Sequence, residues 1–270
     1  MAVSLARDFM SAIVTTNVAK SLQYSNRGTG FAAKSDRMRK KRRRGIGYWC
    51  FVRIPFWFIV LSLVWVTLLK WVPVRVTPLM IRRSVEYAKA DGFHTRQQWK
   101  PLEEISPEMM KAVIACEDNL FEQHNGFAWE EIRKMLKDHA ERGKRIRGCS
   151  TISQQTAKNV FTWGTSTWAR KIFEAYFTFL IEKIWGKERI LEVYLNVAEM
   201  GPGIYGAESA ALHYFGCHAS GLSRSQAVAI AVCLPNPLRY SPVAPGPYMT
   251  RRQAQIRALI PKVKYPDWVR

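Results

Sequence analysis

Residues 106–121 read SPEMMKAVIACEDNLF and have the pattern of an amphipathic helix. Ser106 is a typical N-cap residue, and Pro107 suits the first helical position, where a missing N–H costs nothing. Apolar side chains then recur at the spacing of one helical face: Met110, Val113, Ile114, Leu120 and Phe121. Glu117 falls on this apolar face, while its neighbours Asp118 and Asn119 are expected to point elsewhere.

Glu117 is therefore a candidate for proton transfer. A carboxyl group placed against a core costs free energy unless it is paired or serves a purpose. Burial would raise its pKa towards the range that suits a general acid or base. The alternative is a buried glutamate that an arginine or backbone donors satisfy, and for one residue taken alone this structural role is the commoner one.

An apolar segment at residues 46–72 predicts a transmembrane anchor. Residues 54–69 carry no charge, and roughly 20 apolar residues span a bilayer. Arg53 and Lys70 can extend their long side chains to the two membrane surfaces. A buried helix of a soluble protein is the alternative, and it fits this length and these flanks less well.

Seven lysines and arginines within residues 37–44 directly precede the apolar segment. Positive flanks stay in the cytoplasm, so we expect residues 1–45 to be a basic cytoplasmic segment. Residues 73–270 are then expected to form a single domain outside the cytoplasm. A basic run can also bind nucleic acid, but its position beside the anchor favours the topological interpretation.

The composition agrees with one catalytic or binding unit that acts on an anionic partner. The 270 residues include 41 Lys and Arg against 21 Asp and Glu, a formal net charge of +20. Nucleic acid, anionic lipid or a phosphate-bearing substrate would fit this charge. The five cysteines have no Cys-x-x-Cys spacing, so the sequence predicts neither a zinc site nor a disulfide framework.

The fold class predicted for the part after the anchor is mainly α. Little period-two alternation is present, and Gly, Pro and Ser separate the helical patterns. Besides the helix after Ser106, the predicted helices run from Thr151 through Lys158, over 168–184, over 187–197, up to Gly216, and over 249–260. The proline-rich residues 235–247 are predicted to be a loop.

Residues 148–155, GCSTISQQ, predict an anion site at a helix N-terminus. Thr151 and Gln154 have the spacing of a capping box, and free N–H groups at such an end attract negative charge. Lys158 would add a positive charge on the same side as Gln155. Plain helix capping explains the hydroxyls equally well, but it does not explain the Gln-Gln pair followed by Lys158.

Arg170, Lys171 and Glu174 form a second charged group on one helix. Their spacing lets Glu174 hold either cation while both stay available to a phosphate. Taken alone, this pattern is more often a solvated salt-bridge face. His124 could orient a carboxylate or cap the first helix, and we favour the structural role.

Four ordered segments together resemble the peptidoglycan glycosyltransferases of glycosyltransferase family fifty-one. They are Glu117–Phe121 (EDNLF) with His124 and Gly126, then 148–159, then 170–174, then 187–196. The resemblance covers about residues 95–245. It implies a lysozyme-like helical domain with a smaller jaw lobe that is embedded in the membrane.

The resemblance also implies the activity. Enzymes of this family polymerise lipid II into β-1,4-linked glycan strands, with inversion and with release of polyprenyl diphosphate. Glu117 matches the general base, and Glu174 matches a second essential carboxylate, near which a divalent cation (Mg or Mn) could sit. The substrate-binding residues expected by the same comparison are Asp118, Ser150, Thr151, Gln154, Gln155, Lys158, Asn159, Arg170 and Lys171.

The partners expected on this basis are lipid II, the nascent glycan, the bacterial inner membrane and other proteins of cell-wall synthesis, but not nucleic acid. The catalytic domain would be periplasmic. The chain departs from the family pattern at two positions. Many relatives carry Asp where this chain has Ala128, which puts local helix capping in doubt. Many carry Arg where this chain has Ser166, which puts one diphosphate contact in doubt. No Ser-x-x-Lys or Lys-Thr-Gly motif occurs, so we expect no transpeptidase.

Two other functions remain open from the sequence. A lysozyme-like lytic hydrolase would use a similar glutamate as an acid, although it would have no diphosphate for Lys158, Arg170 and Lys171 to hold. A membrane-anchored scaffold without turnover would keep the fold, although it would not need Glu117 or Glu174.

Overall fold

The computed structural model describes residues 49–87, 95–143, 150–163 and 167–269. The basic run at 37–44, the Gly148-Cys149 turn and Ser166 lie outside these ranges. The cytoplasmic assignment of residues 1–45 and the effect of Ser166 therefore stay predictions.

The described part of the chain is mainly helical, as the sequence predicts. A π-helical turn, Trp49–Arg53, leads into ten α-helices. These are α1 (Ile54–Leu68), α2 (Pro78–Tyr87), α3 (Pro107–Glu117), α4 (Trp129–Arg142), α5 (Ile152–Phe161), α6 (Trp168–Ile184), α7 (Lys187–Val197), α8 (Ala207–Phe215), α9 (Arg224–Ala231) and α10 (Pro247–Leu259).

One helix in the described ranges is long and apolar enough to cross a membrane. It covers Phe51–Leu68, 18 residues with a mean hydropathy of 2.0. Most of its side chains are exposed, as expected of a surface that faces lipid. The chain divides into two compact units, and the boundary falls between Val60 and Leu61 within this helix.

Within the second unit, the last two turns of α1 are bonded to α6 and to the residue that follows it. The hydroxyls of Ser62 and Tyr176 lie 2.6 Å apart. The indole N–H of Trp185 donates to the carbonyl of Val66 at 2.7 Å. Ser62 and Val66 are both buried, so this end of α1 is packed as part of the domain.

The core is formed around α5 and α3. Helix α5 packs against both α6 and α7, and α3 packs against α9 and α10. Fully buried aliphatic side chains fill these contacts, among them Ile152 of α5, Ile181 of α6 and Leu191 of α7. Apolar burial therefore fixes the helices that carry the predicted site residues.

A small sheet, which the sequence did not reveal, packs against α8. Strands β1 (Arg96–Gln97), β2 (Glu199–Gly201) and β3 (Ile204–Tyr205) are ordered β1-β3-β2. β1 pairs with β3 in parallel, and β2 pairs with β3 antiparallel. Strands of two or three residues are too short to show an alternating pattern.

Most predicted helix bounds are confirmed, with one correction. Helix α3 ends at Glu117, although its apolar pattern predicted a continuation to Phe121. Asp118 leaves the helical conformation (φ −160°, ψ 73°), because its side chain is bonded to another part of the chain. Helices α2, α4 and α9 were not predicted. Ala128 precedes α4 without a side-chain cap, as its departure from the family pattern suggested.

Gly206 gives a test of this packing. Its φ is +82°, and a Cβ atom there would lie 2.7 Å from the backbone oxygen of Asn196. Gly206→Ala should lower the free energy of unfolding by about 2–4 kcal/mol, from backbone strain and overpacking together. Gly216 also has a positive φ, +64°, but nothing lies within 4 Å. Gly216→Ala should cost only about 1 kcal/mol. Unfolding in denaturant would measure both variants. If Gly206→Ala and Gly216→Ala lowered the free energy of unfolding equally, the contact with Asn196 would be unimportant.

Candidate active site

The Asp118 carboxylate joins the end of α3 to the start of α5. Both of its oxygens lie 2.9 Å from Nε2 of His124, and Oδ2 also accepts the backbone N–H of Ile152 at 2.9 Å. Gly126 donates its N–H to Nδ1 of His124, so the ring proton belongs on Nε2 and is donated to Asp118. His124 therefore orients a carboxylate, and the alternative that we favoured, capping of α3 by His124, is wrong, because Asp118 is the residue at that cap. The prediction that Asp118 points away from the core is wrong, because the carboxylate is buried in this network.

Thr151 and Gln154 form the predicted capping box. The Thr151 hydroxyl accepts the N–H of Gln154, and the Gln154 side chain accepts the N–H of Thr151, each at 3.1 Å. The same hydroxyl donates to the carbonyl of Gly126 at 2.7 Å. Both side chains are buried. Asp118, Thr151 and Gln154 therefore have structural partners, and their predicted contact with substrate stays a prediction.

Glu117 is half-buried at the last position of α3, and Gln155 holds its carboxylate. The Gln155 amide donates to Oε2 of Glu117 at 2.9 Å, and its carbonyl oxygen accepts the hydroxyl of Tyr194 at 3.1 Å. Burial raises the pKa of Glu117 above the ordinary value of 4.5. The bonds from Gln155 and Cys116 and the charge of Arg252 oppose this rise. The net shift is upward, which is the direction that the predicted role of Glu117 in proton transfer requires.

A cavity of about 350 Å³ lies against α5, and Gln155 is part of its wall. Its wall includes four cations from three helices, namely Arg82, Arg83, Lys158 and Arg170, and one carboxylate, Glu199. Gln155, Asn159 and Tyr194 also line it. Glu117 is not itself a lining residue, but Gln155 connects its carboxylate to the cavity wall. The cavity is consequently a place where an anion would be stabilised.

Glu174 fixes two of the predicted cations on α6. Its carboxylate is only 3% exposed; Oε2 accepts from Nη1 of Arg170 at 3.2 Å, and Oε1 accepts from the ammonium of Lys171. Arg170 lines the main cavity as well as a shallower one of about 250 Å³, which Thr167, Trp168 and Lys171 complete. The predicted pairing of Glu174 with both cations is confirmed. Arg170 and Lys171 also line a cavity, so they are not simply part of a solvated salt-bridge face.

Lys158 extends from α5 into the main cavity. Burial by the surrounding walls lowers the pKa of its ammonium group, and the charges of Arg170 and Lys171 lower it further. Glu174 and Glu117 act in the opposite direction. The residue nevertheless remains exposed to solvent, so its ammonium group is accessible to a molecule in the cavity.

The structure therefore brings Gln155, Lys158, Asn159 and Arg170 to one cavity, with Glu117 bonded to Gln155 and Lys171 in the smaller cavity that Arg170 also lines. Ser150 is exposed, and its carbonyl accepts from the Gln155 amide at 3.2 Å. Tyr194 and the cavity-facing Arg82, Arg83 and Glu199 were missed by sequence reasoning. Arg252, whose charge acts on Glu117, was missed because α10 is distant from it in the chain.

No group of three or more His, Cys, Asp or Glu side chains suitable for a metal occurs in the described ranges. Near Glu174, a divalent cation would compete with Arg170 and Lys171, since each already donates to one carboxylate oxygen and each is itself positively charged. The residues present do not fit a resident metal well. No chemical step is therefore assigned to one.

Comparison with known proteins identifies the family. The sequence profile described as transglycosylase matches residues 84–260, about two thirds of the chain. The chain belongs to this transglycosylase family, whose members are glycosyl-transferring enzymes.

Several curated relatives carry the name biosynthetic peptidoglycan transglycosylase. The relative from Bacteroides thetaiotaomicron is 50% identical over 211 residues, which are 77% of this chain and 85% of the relative. The one from Pseudomonas aeruginosa is 48% identical over 202 residues, 74% of this chain and 87% of the relative. The one from Bdellovibrio bacteriovorus is 49% identical over 206 residues, 76% and 82% of the two chains.

A stability measurement tests the structural role of Asp118. Asp118→Asn removes the charge that accepts from His124 and from the Ile152 N–H, and should lower the free energy of unfolding by about 1.5–3 kcal/mol. Asp138 is the matched control, because it is paired with Arg142 at a helix surface. Asp138→Asn should cost about 0.5 kcal/mol or less. An Asp118→Asn protein of unchanged stability and weakened substrate binding would show that the role assigned here is wrong.

Proposed function

We propose that this enzyme polymerises lipid II into the β-1,4-linked glycan strands of peptidoglycan, with inversion at the anomeric carbon and release of polyprenyl diphosphate. One observation supports this most directly. The Glu117 carboxylate, with its raised pKa, is linked through Gln155 to a cavity whose wall carries Lys158 and Arg170. A transfer that expels a diphosphate needs a base and fixed positive charge in this proximity.

The proposed reaction has a single displacement step. Glu117 takes the proton from the 4-hydroxyl of the acceptor's N-acetylglucosamine, and that oxygen attacks the anomeric carbon of the donor's N-acetylmuramic acid. The bond between the anomeric carbon and the diphosphate oxygen breaks, and its electron pair leaves with the diphosphate. Lys158, Arg170 and Lys171 stabilise the charge that develops on this leaving group.

The exposed apolar surface supports a substrate that stays in the bilayer. Besides the candidate membrane helix, α6 exposes Trp168 at 88%, Ile172 at 67% and Phe173 at 45%, directly beside Arg170 and Lys171. Aromatic side chains next to cations are typical of the membrane interface. We therefore propose that this face of α6 contacts the membrane, and that the N-terminus is cytoplasmic because of the basic run at 37–44.

We propose that the activity is limited to glycosyl transfer. The sequence contains neither the Ser-x-x-Lys nor the Lys-Thr-Gly motif that a penicillin-binding transpeptidase uses. Cell-wall synthesis proteins as partners, and a divalent cation near Glu174, stay predictions that turnover with added protein or with chelator would test.

Purified protein in detergent should convert lipid II into long glycan. Glu117→Gln should lower kcat at least about 100-fold, because the acceptor hydroxyl loses its base. Glu108 lies on the same helix and is paired with Arg224 at the surface, so Glu108→Gln is the matched control. It should retain nearly full activity. Product length on a gel and release of the polyprenyl diphosphate would both be measured, together with thermal melting.

An active Glu117→Gln protein would contradict the assignment of the base. A wild-type protein that folds, binds lipid II and forms no polymer would favour the scaffold. Short products cut from finished glycan would favour the hydrolase.

The pH profile gives an independent test of Glu117. The carboxylate is the active form, so activity should fall as the pH drops through its raised pKa, and the acidic limb of kcat/KM should lie above pH 4.5. The Gln155 hydrogen bond lowers this pKa. Gln155→Leu should therefore move the limb to still higher pH, in addition to any loss of rate. A limb that moves to lower pH would exclude Glu117 as the titrating group.

A further inference from the structure

Helix α2 repeats the charge arrangement of α6. Residues 82–86 read Arg-Arg-Ser-Val-Glu, and residues 170–174 read Arg-Lys-Ile-Phe-Glu. In α2, Glu86 accepts a hydrogen bond from Nη1 of Arg83 at 3.0 Å and forms an ion pair with Arg82, whose Nε lies 3.1 Å from Oε1. Each helix thus carries two adjacent cations and one carboxylate that pairs with both of them. The carboxylate lies four residues after the first cation and three residues after the second.

The two arrangements meet at the same cavity. Arg82 and Arg83 line it from α2, whereas Arg170 lines it from α6 and Lys158 from α5. Helix α2 is firmly placed, because Thr77 caps it by accepting the N–H of Met80 at 3.2 Å and because Met80 is buried in the core. The arginines of α2 are therefore held at the cavity by packing as well as by Glu86.

The two arginines differ in what remains available to a ligand. Arg83 also lies against Glu199, with Nε 3.4 Å from Oε2. Burial raises the pKa of Glu199, and the charge of Arg83 opposes that rise. Arg83 is thus bound to a buried group of the wall, and its side chain is 20% exposed against 33% for Arg82. Arg82 is the more accessible of the two to a molecule in the cavity.

We propose that Arg82 is a substrate-binding residue, which Glu86 positions so that the guanidinium binds an anionic group of the lipid-linked substrate from a helix other than α5 and α6. The anion is a phosphate of the diphosphate or a carboxylate of the attached peptide, since a guanidinium binds either one through two parallel donors. This inference rests on the proposed function. A surface ion pair between Arg82 and Glu86 would by itself add little to the stability of the fold. Stability alone therefore does not explain why two arginines line the cavity wall.

The test compares Arg82→Gln with Arg142→Gln. Arg142 is likewise paired with a carboxylate four residues away, but it lies on α4 and is not among the cavity residues. Arg82→Gln should raise KM for lipid II about tenfold, the loss expected for one charge-assisted hydrogen bond, and leave kcat within about twofold. Arg142→Gln should change neither quantity. Both proteins should melt within a few degrees of wild type.

A direct binding measurement separates the two anions. Polyprenyl diphosphate and a lipid-linked disaccharide without its peptide would each be titrated into wild-type and Arg82→Gln protein in detergent. Weaker binding of both molecules by the variant assigns Arg82 to the diphosphate. Unchanged binding of both, with a raised KM for complete lipid II, assigns it to a peptide carboxylate.

Three results would overturn the inference. Arg82→Gln could match Arg142→Gln in KM and in all binding titrations while wild type polymerises lipid II, in which case the proposed function stands and only the role of Arg82 falls. Arg82→Gln could lose kcat and melting temperature together with unchanged KM, which would make Arg82 structural. Wild type could fail both to polymerise lipid II and to bind polyprenyl diphosphate, in which case the proposed function falls as well.

Discussion

The hydrogen bond from the Ile152 N–H to the Asp118 carboxylate connects the two halves of the candidate site. Asp118 directly follows Glu117, and Ile152 begins the helix that carries Gln155 and Lys158. The carboxylate also satisfies the start of α5, where free N–H groups and the helix dipole favour negative charge. Helix α3 ends at Glu117, next to this contact, and the Gln155 amide of α5 lies 2.9 Å from the Glu117 carboxylate. The hydrogen bond from the Thr151 hydroxyl to the carbonyl of Gly126 adds a second connection between the same two segments.

The surroundings of Glu117 act on its pKa in opposite directions. Burial favours its neutral form, whereas the Gln155 amide and the charge of Arg252 favour the carboxylate. Tyr194 is completely buried, which raises its pKa well above the ordinary value, so it remains a neutral donor to Gln155. The net effect raises the pKa of Glu117 above its ordinary value, which is the direction that its proposed role as a base requires.

The sequence predicted the helices that have strong local signals, but not the parts that depend on distant contacts. The Thr151 capping box, the helix over 168–184 and the Arg170–Glu174 pairing all follow from spacing within a few residues, and the structure has them. The place of Asp118 could not be predicted, because its partners His124 and Ile152 come together only in the fold. Residues 82–86 carry a local pattern as clear as residues 170–174. The function of this pattern could not be inferred, because nothing in the sequence shows that α2 reaches the cavity.

The buried carboxylate of Glu174 has a consequence for turnover. It accepts from both Arg170 and Lys171, so this pair of cations presents less attraction to an incoming anion than its formal charge suggests. A cavity of uncompensated cations would retain the expelled diphosphate, and the rate of the enzyme would then be limited by how slowly that product dissociates. In the proposed reaction, Glu174 would offset part of this positive charge in advance, so that the site could stabilise a transient anion and then release it for the next round.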